Sequence, residues 1–161
     1  MSPDPAAKML FGDVLAQARE RWIRAMAQRL SALGFEDYRR SDPLAMRSLR
    51  GGEVPLGGLA ITLGLTRQGA RKVVNGLVER GYVRVTSSTV DSRRRIVELT
   101  PRGREYLRAV VQTLRALNDE VVANVDEERL SAAYSVLEFI RDEIMASPSG
   151  KVELAITGES R

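Results

Sequence analysis

The chain contains no cysteine and no histidine. Without cysteine there is no disulfide, no thiol nucleophile, no zinc thiolate and no thiol-based redox switch. Without histidine there is no imidazole base, no Ser-His-Asp triad and none of the usual metal clusters. Long apolar runs are also missing: none approaches the roughly 20 residues that a membrane-spanning helix needs. The first residues, Met1-Ser2-Pro3-Asp4-Pro5, lack the basic start and apolar stretch of a secretory signal. Gly51-Gly52 and Gly57-Gly58 lack the lysine that a phosphate-binding loop requires. These absences disfavour an enzyme. They lead us to expect no metal, no cofactor, no membrane partner and a cytoplasmic location.

What is present is one domain's worth of chain. Its 161 residues, 43% apolar and 29% charged, suit one sizeable core. The net charge of +4 is unevenly spread. Residues 1–65 hold nine basic and seven acidic side chains, residues 66–108 eleven and four, and residues 109–161 five and ten. A basic middle followed by an acidic last third suits a polyanion-binding module carried on other helices. An unevenly solvated surface is the plain alternative, and charge alone does not separate the two.

The periodicity predicts mostly helix. Val14, Leu15, Ala18, Trp22, Met26, Leu30 and Leu33 recur at steps of three and four, with Gly34 as the stop. Asp4-Pro5 is the expected start, with Asp13 an alternative cap. Asp42-Pro43 opens a short second helix through Leu49, closed by Gly51-Gly52. Glu53-Val54-Pro55 suits an extended link or a very short strand. Leu56 to Leu63 forms a third helix. Gly64-Leu65-Thr66 turns the chain, and Thr66 caps a fourth helix running through Arg80. There Ala70, Val73, Val74, Leu77 and Val78 point inward, and Arg67, Gln68, Arg71, Lys72, Asn75 and Glu79 point outward. The period then changes to two. Tyr82 to Thr86 and Arg95 to Leu99 read as strands joined by a polar, basic loop. Thr100-Pro101 starts a fifth helix with Leu107, Val110, Leu114, Leu117 and Val121 on one seam. Asp126 caps a sixth, with Leu130, Ala133, Leu137, Ile140 and Ile144. The tail 146–161 is expected to be loose, although Val152 to Ile156 alternates.

Helix, tight glycine turn, helix, strand, basic loop, strand is the order of a helix-turn-helix followed by a wing. Small Ala60 lets the two helices approach. The outward face of the fourth helix presents groups that bond base edges: Arg to guanine, Asn or Gln to adenine. Arg71 is the candidate base reader and Lys72 the phosphate contact. Gly69 costs about 1 kcal/mol of helix stability against Ala; either it admits close backbone approach or it is merely tolerated. In the loop, Arg93 and Arg94 are candidates for the minor groove, where a guanidinium meets the most negative potential. Asp91 and Arg95 would anchor the loop's shape. A solvated charge run is the alternative.

Four runs carry a resemblance. They are Leu59-Ala60-x-x-Leu63-Gly64-Leu65-Thr66-Arg67-Gln68, Val74-x-x-Leu77-Val78-Glu79-Arg80-Gly81-Tyr82-Val83, Asp91-Ser92-Arg93-Arg94-Arg95 and Leu99-Thr100-Pro101-Arg102-Gly103. Over roughly residues 9–145 the chain resembles the MarR family of bacterial transcriptional regulators. It departs at Ala70, where a larger aliphatic is common, and in a shorter wing. The resemblance implies a mainly α fold with a small β wing, forming a single domain over 1–145. The winged helix-turn-helix would occupy about 42–100, and dimerisation helices about 5–34 and 101–145. It implies a homodimer on a palindrome in double-stranded DNA, acting as repressor or activator. It also implies a small aromatic or phenolic effector. Trp22, Met26, Tyr38 and Met46 are pocket candidates, with Arg39 or Arg40 for a carboxylate. A winged-helix protein-interaction module without DNA binding is the competing reading.

Overall fold

The computed structural model describes residues 10–87 and 94–144. Asp4-Pro5, the wing tip with Asp91 and Arg93, and the tail 146–161 lie outside the described residues. The elements are α1 (Phe11–Ala32), α2 (Asp42–Ser48), β1 (Val54–Pro55), α3 (Leu56–Leu63), α4 (Arg67–Glu79), β2 (Val83–Ser87), β3 (Arg95–Leu99), α5 (Pro101–Asn124) and α6 (Glu127–Phe139). A π-helical turn, Ile140–Ile144, follows. The fold is mainly helical with a small antiparallel sheet, as expected.

The short extended segment before α3 is a true strand. The sheet order is β1-β3-β2, with Val54 opposite Val97 and Val85 opposite Val97 on the other side. β3 is therefore the central strand, and its Val97 is fully buried.

Local chemistry explains the boundaries. Leu10 precedes α1 without a side-chain cap, and Asp13 lies inside the first turn rather than capping it. Ser41, not Asp42, occupies the N-cap position of α2. Gly64 ends α3 in the left-handed conformation, φ 62°, which a β-carbon disfavours. The Leu65 N–H then closes on Ala60 O at 3.0 Å. Thr66 Oγ1 accepts from the Gly69 N–H at 3.1 Å, and Thr100 Oγ1 accepts from the Gly103 N–H at 2.9 Å. α4 stops one residue earlier than expected, with Arg80 as its C-cap. The second strand begins at Val83, because Tyr82 is still engaged in the turn through its N–H to Leu77 O.

The chain divides into two compact units, Met1–Leu117 and Asn118–Arg161, and α5 runs through the division. The core of the first unit joins Met26 and Leu30 of α1, Met46 and Leu49 of α2, Leu59 of α3, and Val74 and Leu77 of α4. Tyr82, Val97, Tyr106 and Val110 complete it. Tyr82 and Tyr106 stack with centroids 4.1 Å apart, and Phe35 leans on Tyr106 at 5.0 Å; such pairs contribute about 0.5–1.5 kcal/mol each beyond their burial. Val78, expected inside, is substantially exposed, as are Val14, Trp22 and Leu33 on the apolar stripe of α1. Burial fades along α5: Leu107, Val110 and Leu117 are buried, but Val121 is exposed.

In the second unit Asp126 caps α6, its Oδ1 accepting from the Arg129 N–H at 2.9 Å. Glu127 and Glu128 follow in the first turn, where negative charge is favoured. No α6 residue is fully buried, and Tyr134, Val136, Leu137 and Phe139 are all exposed. Of the expected seam, Ala133 and Leu137 are exposed and Leu130 and Ile140 are half-buried.

Candidate nucleic-acid interface

α4 is amphipathic in the strict sense. Ala70, Val74 and Leu77 are buried, while Arg67, Gln68, Arg71, Lys72 and Asn75 are exposed. The cap explains why this face is presented. Thr66 is spent on the Gly69 N–H, so the helix starts sharply and its first turn already carries Arg67 and Gln68 outward. A β-carbon on Gly69 would meet Leu65 Cβ and Thr66 Oγ1 at 3.4 Å, ordinary contact, so internal packing does not demand glycine there.

Two clefts flank that outward face, and Arg71 lines both. One, of about 460 Å³, is bounded by Pro55, Leu56, Gly57, Arg67, Arg71, Arg94 and Arg95. It joins the start of α3, the start of α4 and the base of the wing. The other, of about 380 Å³, is bounded by Arg39, Gln68, Arg71, Lys72, Asn75, Gly76 and Glu79. Between them the clefts are lined by Arg67, Gln68, Arg71, Lys72 and Asn75, and Thr66 at the N-cap, also a candidate for DNA contact, lines neither.

Not every arginine near the wing is available. Arg84 stands directly across from Glu98 on β3 and donates to its Oε1 at 2.6 Å. That bond lowers the carboxyl of Glu98 below its usual range and raises Arg84. Arg95 donates to Ser87 Oγ at 3.3 Å, across the mouth of the hairpin. Arg95 thus meets Ser87, while the expected partner Asp91 falls outside the described residues together with Arg93.

The position of α4 is set by a buried ionic cluster that the periodicity does not reveal. Asp42 reads as a helix-start residue, yet its side chain is 0% exposed. Its Oδ2 accepts from Arg80 Nη1 at 2.7 Å, from the Tyr106 hydroxyl at 2.7 Å and from the Arg39 N–H at 2.9 Å. Its Oδ1 accepts from Arg80 Nη2 at 2.9 Å. Arg80 also donates to Gly76 O and Asp37 O, and the Tyr82 hydroxyl donates to Asp37 Oδ1 at 2.6 Å. One carboxylate therefore ties the end of α4 to α2 and α5. Burial alone would lower Arg80, but its hydrogen bond to Asp42 and that residue's charge raise it on balance. Burial, with the nearby Asp42 carboxylate, pushes the Tyr106 hydroxyl far above the ordinary tyrosine range. Burial and the bond to Asp37 push Tyr82 up to about 12. Both tyrosines are held as neutral donors.

Of the expected effector residues, Met26 and Met46 belong to one apolar core and Tyr38 packs against it, while Trp22 does not. Met26 and Met46 are fully buried in the core, Tyr38 is half-buried and Trp22 lies on exposed α1 surface. In a single protomer the two methionines are packing residues, because neighbouring side chains cover their whole surface. A separate hollow of about 360 Å³ is lined by Leu49, Arg50, Gly52, Glu53, Glu98, Leu99, Arg104, Leu107 and Arg108, and none of the four expected residues is among them. Among the described residues no acidic cluster suits a metal ion, and no helix is long and apolar enough to cross a membrane.

No protein-family model matches the chain. An HTH-type transcriptional regulator of Staphylococcus aureus is 29% identical over 75 residues, 45% of this chain and 51% of the relative. The chain thus spans about half the length of the curated relatives it matches. MarR from E. coli, in a mutant form complexed with operator DNA, superposes with TM-score 0.68 at 19% identity, over 80% of this chain and 91% of that one. PcaV from Streptomyces coelicolor, in complex with its natural ligand, superposes with TM-score 0.71 at 16% identity, over 89% and 99%. The chain has a winged helix-turn-helix fold with flanking helices. That fold is the one of the MarR-family transcriptional regulators, and the relatives are regulators, not enzymes.

Proposed function

We propose that this chain is a sequence-specific DNA-binding transcriptional regulator. It acts as a homodimer on a palindromic operator, with α4 in the major groove and the wing over the adjacent minor groove. The observation that carries this reading is the outward face of α4. Arg67, Gln68, Arg71, Lys72 and Asn75 stand together on it, between two arginine-lined clefts. Such a face suits base edges at its centre and phosphates at its rim. Dimerisation is supported by apolar surface that one protomer leaves open: Phe11, Val14 and Trp22 on α1, Val121 and Val122 on α5, and Leu137 on α6. Small-molecule control is supported by the third hollow, where Leu49, Leu99 and Leu107 sit among Arg50, Arg104 and Arg108. That mixture suits an aromatic acid.

The test is a salt titration of duplex binding. Wild type should lose affinity linearly in log–log coordinates, as phosphate neutralisation requires. Arg71→Ala should relax preference at one base pair of each half-site, whereas Lys72→Ala should weaken all sequences alike. A chain that binds no duplex at low salt is instead the protein-interaction module.

A further inference from the structure

Arg39 stands in the turn between α1 and α2, and the turn is tied to α4 through one buried carboxylate. Its N–H donates to Asp42 Oδ2, and the Asp42 N–H donates back to Arg39 O at 2.9 Å. Asp42 is held by Arg80, whose Nε donates to Gly76 O of α4 at 2.7 Å. The backbone of Arg39 is therefore positioned relative to Gly76 by two short links.

The side chain uses that position. A β-carbon on Gly76 would overlap Arg39 Nη1 and come within 3.4 Å of its Cζ. Glycine at 76 leaves a notch in α4, and the guanidinium of Arg39 lies in it. Arg39 is nevertheless exposed, and among the described residues no hydrogen bond or ion pair holds its guanidinium. It lines the same cleft as Gln68, Arg71, Lys72 and Asn75, with Glu79 the one acid there. This is the outer flank of the recognition helix, not the place expected for an effector carboxylate.

We propose that Arg39 is a DNA-contacting residue that grips a backbone phosphate beside the second half of α4, through the notch left by Gly76. The inference rests on the DNA-binding reading above. A helix with side chains is roughly 10–12 Å across and the major groove is about 12 Å wide, so the groove's two phosphate walls stand close on both flanks of α4. The wing-side cleft turns Arg67 and Arg94 to one wall. Arg39 and Lys72 face the other. The planar fork of a guanidinium suits two phosphate oxygens at once.

The experiment titrates a short fluorescein-labelled duplex of mixed sequence at several salt concentrations with wild type, Arg39→Gln, Arg39→Lys, Gly76→Ala and Lys72→Ala. Phosphate contacts ignore sequence, so no operator is needed. Each lost phosphate contact should flatten the slope by about 0.9, which shrinks the wild-type advantage about 3.5-fold per protomer between roughly 50 and 200 mM salt. Arg39→Gln should show that flattening with an unchanged melting temperature, because the guanidinium holds no internal bond. Arg39→Lys should keep the slope. Gly76→Ala, which displaces the charge without removing it, should weaken binding part of the way. If Lys72→Ala flattens the slope and Arg39→Gln does not, Arg39 is not a phosphate contact while the DNA-binding reading stands. If wild type itself shows no salt-dependent binding, both fall together.

Discussion

Replacing Asp42 with Asn removes a charge and almost no volume, so it isolates the electrostatics of the buried cluster. The carboxylate accepts four hydrogen bonds, two of them from one arginine. Asn offers one oxygen in place of two and turns an NH2 toward at least one donor. Arg80, whose side chain is only 8% exposed, keeps Gly76 O and Asp37 O but loses its counter-charge. Breaking a buried pair from one side costs about 3–5 kcal/mol. Because Arg80 retains two carbonyl partners, the lower end, about 3 kcal/mol, is expected. That is a large share of the roughly 5–15 kcal/mol that stabilises a typical domain. The assay is urea unfolding followed by circular dichroism, at one fixed protein concentration because dimers gain stability with concentration. The double variant Asp42→Asn, Arg80→Met gives a sharper test, since removing both charges leaves no stranded ion. It should be less destabilised than the sum of the single variants, with a coupling of about 1–3 kcal/mol. A loss below about 1 kcal/mol for Asp42→Asn, or simple additivity of the pair, would refute the idea that this ion pair anchors α4.

Three further outcomes follow from the same contacts. Gly103→Ala should destabilise by about 3 kcal/mol, the upper part of the usual overpacking range, because its β-carbon would overlap the backbone carbonyl of Tyr82, which cannot swing aside; unfolding within error of wild type would contradict this. Stability should fall at alkaline pH. Tyr82 and Tyr106 hold their protons more tightly when folded, so their contribution is complete below the unfolded value near 10; that of Tyr82 is lost as the pH rises through about 12, and that of Tyr106 keeps falling beyond it. Unfolding free energies that stay flat between pH 9 and about 12 would count against it. Arg93, which lies between β2 and β3 in the sequence, should favour A–T over G–C base pairs flanking the half-sites by sensing groove width; equal preference in wild type and Arg93→Ala would make it a spectator.

The local architecture is legible in the sequence because short-range signals dominate it. Thr66, Thr100 and Asp126 each cap the helix expected of them. Gly64 turns α3 into α4 because its φ is positive, and the alternation from Arg95 to Leu99 gives β3 its buried centre at Val97. The outward face of α4 follows from period alone. What resists reading is whatever depends on partners far along the chain. Asp42 followed by proline has the local signature of a helix start. Only the approach of Arg80 and Tyr106, 38 and 64 positions away, turns it into a buried anchor. Arg39 and Gly76 are likewise unremarkable alone, and meaning comes from their contact across a separation of 37 positions. Met26 and Met46 show the converse. Their types suit a pocket wall, and tertiary burial places them in the core.

The central claim is that α4 and the clefts beside it form a surface for duplex DNA. Its most direct measurement is selection from a pool of random duplexes, run in parallel with wild type and with the variant carrying Arg71→Ala and Lys72→Ala. Wild type should enrich one motif arranged as an inverted repeat, the two halves about one helical turn of 34–36 Å or a multiple apart, as two-fold symmetry imposes. The double variant, with its fold intact by circular dichroism, should enrich nothing. Retention without enrichment by wild type, or an identical motif recovered by both proteins, would show that sequence is not read by this face.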